Sequence, residues 1–416
     1  MRHRYPIQGW REELISRMPG GRVTLTTDIS QFYPSIYTHA VDWSIRGKNT
    51  AKKNFRFKNG SIKPLGAMLD ARIRESRGGQ TIGLSIGPDT SWLIAEIVLG
   101  GIDRELSREF PSATGRIARF GDDMTVYAKS RGEADDILAH YQRALLEREL
   151  SVNPTKVSIN DGIEPIYPSW LRKLRSHLYR DDHDRNMRKD IIGIFDTALE
   201  LVEYYPNDGV LNYAIKRCNP FPSGSHSWAT YLDFLLVAST IEPTTLPNVA
   251  GMLSFANTHG LRTGLDRTSD TLNEAALQHA RFNHGFEVSW ILHIIRDLNL
   301  TLDSEVASTV AKMEDNVSLV ILLDFWNHQR NLQSLVDIDA AVQRAERPGA
   351  LSTKDWLLAY EYRHRRVCKP RKWDDSAEWK SLHDANVTFY TTRPHARKVK
   401  RTRPSYHPAW QYGPDL

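Results

Sequence analysis

The stretch RIARFGDDMTVYAKS, residues 116–130, sets two aspartates side by side between runs of β-forming residues. Arg119 and Phe120 lead in; Met124, Val126 and Tyr127 lead out, so the pattern reads as strand, turn, strand. Gly-Asp-Asp is ordinary turn chemistry, yet adjacent carboxylates repel one another and a strand interior is a poor place for them. A third acid stands in a similar setting upstream. In TLTTDISQFYPSIYTHA, residues 24–40, Asp28 closes the β-like run that starts at Val23.

An acid at the end of one strand and an acid pair at a hairpin of the same sheet can converge on divalent cations. Mg²⁺ takes oxygen ligands, commonly one or two carboxylates plus substrate phosphates. Two such ions can activate a 3′-hydroxyl and hold a leaving pyrophosphate. Around these acids, residues 22–185 mix short strands with helices expected at 88–110 and 132–150. Pro88-Asp89-Thr90-Ser91 makes a good first helical turn, and Ile137, Leu138, Tyr141, Leu145 and Leu146 keep helical spacing. The predicted class is α+β, an antiparallel sheet backed by helices.

Residues 186–345 change texture. Apolar and amphipathic runs such as DIIGIFDTALELVEYY and DNVSLVILLDFW are separated by short breakers, which predicts an all-α domain of helix pairs resembling a HEAT-like repeat. Phe286, Trp290, Ile291, Ile294, Ile295 and Leu298 fall on one stripe. Residues 346–416 are polar and basic. The 416-residue chain carries a net charge of +5, but residues 361–416 alone hold 13 Lys/Arg against 6 Asp/Glu. A polyanion partner fits that tail, as does a solvated surface segment. No apolar run reaches the ~18 residues of a membrane span, and the N-terminus lacks the apolar core of a signal peptide. Cys218 and Cys368 are the only cysteines, too few for a disulfide scaffold or a cysteine zinc site, so a reducing cytoplasm is the expected location.

Four segments together resemble the motifs of a polymerase palm, in order. TTDISQFYPSIYTH is similar to motif A, GLSIGPDTS to motif B, RFGDDM to motif C and LSVNPTK to motif D. The set resembles a reverse transcriptase, closest in wording to the bacterial abortive-infection and defence-associated group. HGFEVSWILHIIRDLN, residues 284–299, also resembles the helical domain that follows the palm in that group. The resemblance covers about residues 22–330, and with the texture of the chain it predicts a palm over 22–185, a helical repeat domain over 186–345 and a basic segment over 346–416. Only 27 residues precede Asp28, so in residues 1–21 the fingers segment is expected to be reduced or missing.

The resemblance also implies roles. Asp28, Asp122 and Asp123 would hold two Mg²⁺ ions, with Mn²⁺ as a possible substitute, and the Ile29 carbonyl would add a ligand. Tyr33 would stand where a ribose 2′-OH would clash, which favours dNTPs; either Phe32 or Tyr33 is expected in the core instead. Gly87 and Ser91 would lie beneath the incoming nucleotide, with Ile86 and Ser85 departing from the retroviral pattern. Lys156 would sit near the triphosphate and assist the leaving pyrophosphate. Arg119 would either touch the template or brace the hairpin, and His39 would be a packed histidine.

Farther on, Trp228, Trp290, Phe325 and Trp326 are base-stacking candidates that helical spacing also assigns to a core. His284 and Glu287, spaced i, i+3, have no second pair and are taken as structural. Arg397, Lys398, Lys400, Arg401 and Arg403 are the nucleic-acid-binding candidates. They join Arg363, Arg365, Arg366, Arg371 and Lys372, which alternate with Trp373, Trp379, Tyr390, Tyr406 and Trp410, a mixture suited to single strands. The implied activity is RNA-directed DNA synthesis in antiphage defence, with an RNA template, a DNA product and dNTPs as partners, and a non-coding RNA or a second copy of the chain as further candidates. Protein-primed, template-independent DNA synthesis and a non-catalytic RNA-binding or oligomerisation module are the alternatives, and RNA synthesis is a third.

Overall fold

Four short antiparallel strands frame the acidic residues. The computed structural model describes residues 7–53, 63–180, 182–218, 221–222, 224–261, 264–368 and 377–391. The chain folds as two compact units, Met1–Pro168 and Ser169–Leu416, where the sequence had suggested a border at 185/186. In the second unit the helix Ser169–Ser176 already packs on its neighbours through Trp170, Leu171 and Leu174.

The first unit contains, in order, α1 (Ile7–Arg17), β1 (Val23–Thr27), α2 (Phe32–Ser35), α3 (His39–Arg46), α4 (Lys48–Lys53), α5 (Leu65–Glu75) and α6 (Asp89–Glu109). β2 (Ile117–Phe120), β3 (Asp123–Ala128), α7 (Arg131–Leu146) and β4 (Ser158–Asp161) complete it. The strand order is β2-β3-β1-β4, and each neighbouring pair is antiparallel. Side chains alternate across a strand. Val23 and Leu25 of β1, with Met124, Val126 and Ala128 of β3, therefore enter one core together with Ile94, Val98, Leu99 and Ile102 of α6 and Ile137, Tyr141 and Leu145 of α7. The sheet backed by helices is the class expected. Ser130 starts α7 by accepting from the Glu133 amide at 3.2 Å, while the Glu133 carboxylate accepts from the Lys129 amide at 2.5 Å, a reciprocal cap.

The second unit is helical: α8 (Ser169–Ser176), α9 (Asp184–Tyr204), α10 (Val210–Arg217), α11 (Ser225–Ile241), α12 (Leu246–Thr258), α13 (Leu265–Arg281) and α14 (Gly285–Asp297). It continues with α15 (Ser304–Val310), α16 (Asn316–His328), α17 (Arg330–Leu335), α18 (Asp339–Glu346), α19 (Trp356–His364) and α20 (Ala377–Asp384). Packing runs mainly between near neighbours in sequence, such as α9 on α11, α13 on α14 and α15, and α14 on α16. The stripe on α14 holds in part. Ile291, Ile294, Ile295 and Leu298 are buried, but Phe286 at the first turn is 49% exposed, because the chain turns at 282–284 instead of continuing one long helix.

Part of the expected basic tail is fixed structure. Glu361, fully buried, accepts from the amides of Phe389 and Tyr390 at 2.6 and 3.0 Å and pairs with Arg365. Arg365 in turn donates to the Tyr390 carbonyl at 2.6 Å, and Trp379 stacks near Trp356. Arg365, Tyr390 and Trp379 are thus packed against the helical unit and not strung along a tail. The candidates Arg397, Lys398, Lys400, Arg401 and Arg403 lie outside the described residues, as do Arg371, Lys372, Trp373, Tyr406 and Trp410. Trp228 and Phe325 are core residues, each 2% exposed. No helix among the described residues is long and apolar enough to cross a membrane.

Candidate active site

The register of β1 and β3 decides where the acids meet. Thr27 pairs with Met124, so the next position of each strand sets Asp28 opposite Asp123. By alternation both side chains leave the sheet on the face away from α6 and α7. Asp122 follows Gly121 in the two-residue turn between Phe120 and Asp123. Gly121 has φ +61, and glycine in the first central position is the usual solution for so tight a hairpin.

Electrostatics reflect the crowding. Asp122 and Asp123 are both held above the ordinary carboxylate value. For each, partial withdrawal from bulk water is the first cause. Asp123 is solvent-accessible, and the Asp122 and Asp28 carboxylates push it further in the same direction. Lys156 supplies the opposing charge. Its Nζ donates to Asp28 Oδ2 at 2.9 Å, and this hydrogen bond raises the ammonium above the ordinary lysine value.

Lys156 arrives there through a local device. Asn153 Oδ1 accepts from the Thr155 amide at 3.2 Å, starting a single 3₁₀ turn at Pro154–Lys156. The same loop is stitched to the strand end: the Asn153 amide donates to the Asp28 carbonyl at 2.8 Å and the Ser30 amide to the Ser151 carbonyl at 2.9 Å. Neither bond uses the Ile29 carbonyl; the Ile29 side chain is 1% exposed in the core.

Beneath the hairpin, Arg119 points to the α6 side. Its guanidinium bonds Glu96 at 3.0 and 3.1 Å and Asp103 at 2.7, 3.0 and 3.1 Å, and donates to the Gly121 carbonyl at 2.9 Å. Arg119 braces the hairpin. Sequence reasoning missed Glu96 and Asp103, although two acids seven apart on α6 lie on one helical face.

Phe32 is in the core, 4% exposed, whereas Tyr33 is half-buried against it, so Phe32 is the one of the two that belongs to the core. The loop ahead of α6 turns on Gly83 (φ +89) and Gly87 (φ +115). At Gly83 a side chain would also meet the Pro34 carbonyl at 3.1 Å. Gly87 is exposed with open space around it. Ser91 is buried inside the first turn of α6. His39 is packed: its Nδ1 lies 2.7 Å from Asp70 Oδ2, and its ring meets Tyr37 edge-on.

Residues 3–166 match the family model described as reverse transcriptase (RNA-dependent DNA polymerase). These residues form a reverse transcriptase domain. The domain indicates an RNA-directed DNA polymerase, a nucleotidyltransferase, and implies contacts with nucleic acid and dNTPs. Its match spans the sheet, all three acids and Lys156, and ends within the first unit. No curated protein matches the chain. Reverse transcriptases normally use divalent metal ions. The chemistry of the donor set suits them, since Asp28, Asp122 and Asp123 stand close enough to perturb one another's charge and offer the hard oxygen ligands that such ions select.

Proposed function

We propose that this chain copies RNA into DNA at the corner where β1 meets the β2–β3 hairpin, with Asp28, Asp122 and Asp123 holding two Mg²⁺ ions. The observation that carries the reading is the register that sets Asp28 opposite Asp123, with Lys156 already bonded to Asp28. Bound divalent ions supply positive charge to the attacking 3′-hydroxyl and the leaving pyrophosphate. The protein's part is positional. The strand end and the braced hairpin fix the carboxylates, and Lys156, held by its hydrogen bond to Asp28 Oδ2 at 2.9 Å, would be a positioned ammonium for the phosphates. Tyr33 excludes a ribose 2′-OH from the sugar pocket. A place in bacterial antiphage defence rests on the wording of the four motifs, and a HEAT-like reading of the second unit rests on its near-neighbour helix packing.

A labelled-nucleotide assay tests the reading. With Mg²⁺, an RNA template and all four dNTPs, the full chain is expected to extend a DNA or RNA primer, and EDTA is expected to stop it. Extension with a single dNTP and no added RNA would instead point to untemplated synthesis. Nucleic-acid retention unaffected by EDTA and no incorporation at all would mark a binding module.

Tyr33→Ala is expected to raise rNTP incorporation relative to dNTP by about tenfold or more, the scale on which pocket shape alone discriminates. Competition between labelled rNTP and dNTP measures it. An unchanged ratio would remove Tyr33 from the sugar pocket.

A further inference from the structure

Metal-ligating side chains also gather in the helical unit, outside the matched domain. His279 stands in the last turn of α13, His284 caps α14, and Glu287 lies in the first turn of α14. One donor atom from each of the three lies within 4.8 Å of the others. The two imidazoles face each other, Nδ1 to Nδ1, at 3.1 Å. Two nitrogens bound at roughly 2.0–2.1 Å to one tetrahedral zinc ion stand about 3.3 Å apart, so the two rings need only a small adjustment to share a cation.

The backbone that presents these groups is closely determined. Asn283 takes a left-handed conformation, φ +57, and its side-chain oxygen accepts from the Glu314 amide at 2.9 Å. The His284 amide donates to the His279 carbonyl at 3.1 Å, closing the turn. Gly285 cannot carry a side chain, because a Cβ there would lie 2.5 Å from the Asp315 carboxyl carbon. The Phe282 ring stacks on His284 at 5.7 Å between centroids. Because the C-terminus of α13 and the N-terminus of α14 meet at this turn, their opposed macrodipoles largely cancel at the site.

We propose that His279, His284 and Glu287 form a zinc site that pins the α13–α14 turn. Two imidazoles and a carboxylate are the donor set for Zn²⁺ and its first-row neighbours, and a poor one for Mg²⁺, which asks for oxygen ligands throughout. His284 is exposed, so the fourth position opens to solvent and takes water. The site is independent of the palm carboxylates and of whatever they catalyse. Without a metal, the same 3.1 Å contact is a hydrogen bond in which one ring nitrogen donates to the other.

The test uses the full chain without a histidine tag, loaded with Zn²⁺, dialysed free of loosely held metal, and analysed for zinc content. One zinc ion retained per chain is expected, with a visible d–d absorption when Co²⁺ replaces it. His284→Ala is expected to lose the ion, raising the dissociation constant by at least about 100-fold, since even groups behind the ligands are worth roughly 10–100-fold. Asp122→Asn combined with Asp123→Asn is expected to keep it. His284→Cys, which preserves a zinc donor, is expected to retain the ion and shift the Co²⁺ spectrum, and this separates ligation from a merely folded turn. Wild-type protein that retains no zinc, or equal zinc in wild type and His284→Ala, would overturn the site in favour of the hydrogen-bonded pair.

Discussion

Asp123→Asn is expected to lower dNTP incorporation by at least about 10³-fold, the rate equivalent of roughly 4 kcal/mol of lost charge stabilisation, while making the protein slightly more stable. The two effects share one cause. Asp123 stands opposite Asp28 and next to Asp122, whose carboxylates repel its charge more than Lys156 offsets it. Removing that charge relieves repulsion worth about 0.5–1 kcal/mol, the scale of an exposed charge pair. A variant that loses activity and also melts lower would mean that Asp123 serves the fold and not the site.

The same cluster fixes a pH dependence. Asp122 and Asp123 are raised above the ordinary value of 3.8 in the folded chain. The folded state then binds these protons more tightly than the unfolded one, so stability is fully present below that value and falls as pH rises through the raised values. Unfolding measured from about pH 4 to 7 should show this decline in wild type and a shallower one in Asp123→Asn. At neutral pH Mg²⁺ should recover the loss, raising the melting temperature of wild type more than that of the variant.

The site was legible in the sequence to the extent that it depends on strand ends and turns. Asp28 closes a β-like run and Gly121-Asp122 is a hairpin turn, and both patterns are local. Alternation from Val23 and from Met124 then carries the acids to one face. What could not be read were groups brought in from other elements. Arg119 looked equally suited to a template or a brace, because nothing local says that Glu96 and Asp103 turn toward it. His284 and Glu287 looked like an isolated pair because His279 belongs to the preceding helix, across a turn that the apolar pattern of 271–299 concealed. Phe32 and Tyr33 were indistinguishable by composition, and only the packing of α2 buries one and leaves the other half-exposed.

Arg119→Met keeps most of the apolar stem of the side chain but removes the clamp under the hairpin. Glu96 and Asp103 would be left facing each other across a site whose arginine is only 11% exposed. A fully buried pair broken in this way costs roughly 3–5 kcal/mol. Here the side chains of Glu96 and Asp103 are 28% and 41% exposed, and water moderates the loss to about 2–3 kcal/mol, or roughly 5–10 °C in the melting of the first unit. Burial works against the guanidinium charge, but the hydrogen bonds and charges of Asp103 and Glu96 outweigh it and raise Arg119 above the ordinary arginine value. Arg119→Lys keeps the charge without the planar fork that reaches both acids and the Gly121 carbonyl, so it should recover only part of the stability. Because Gly121 immediately precedes Asp122, loosening its carbonyl should also raise the Mg²⁺ concentration needed for half-maximal incorporation, at temperatures where the variant is still folded. Melting unchanged in Arg119→Met would show the clamp to be solvated surface. Normal Mg²⁺ dependence in a destabilised variant would confine its role to holding α6 against the sheet.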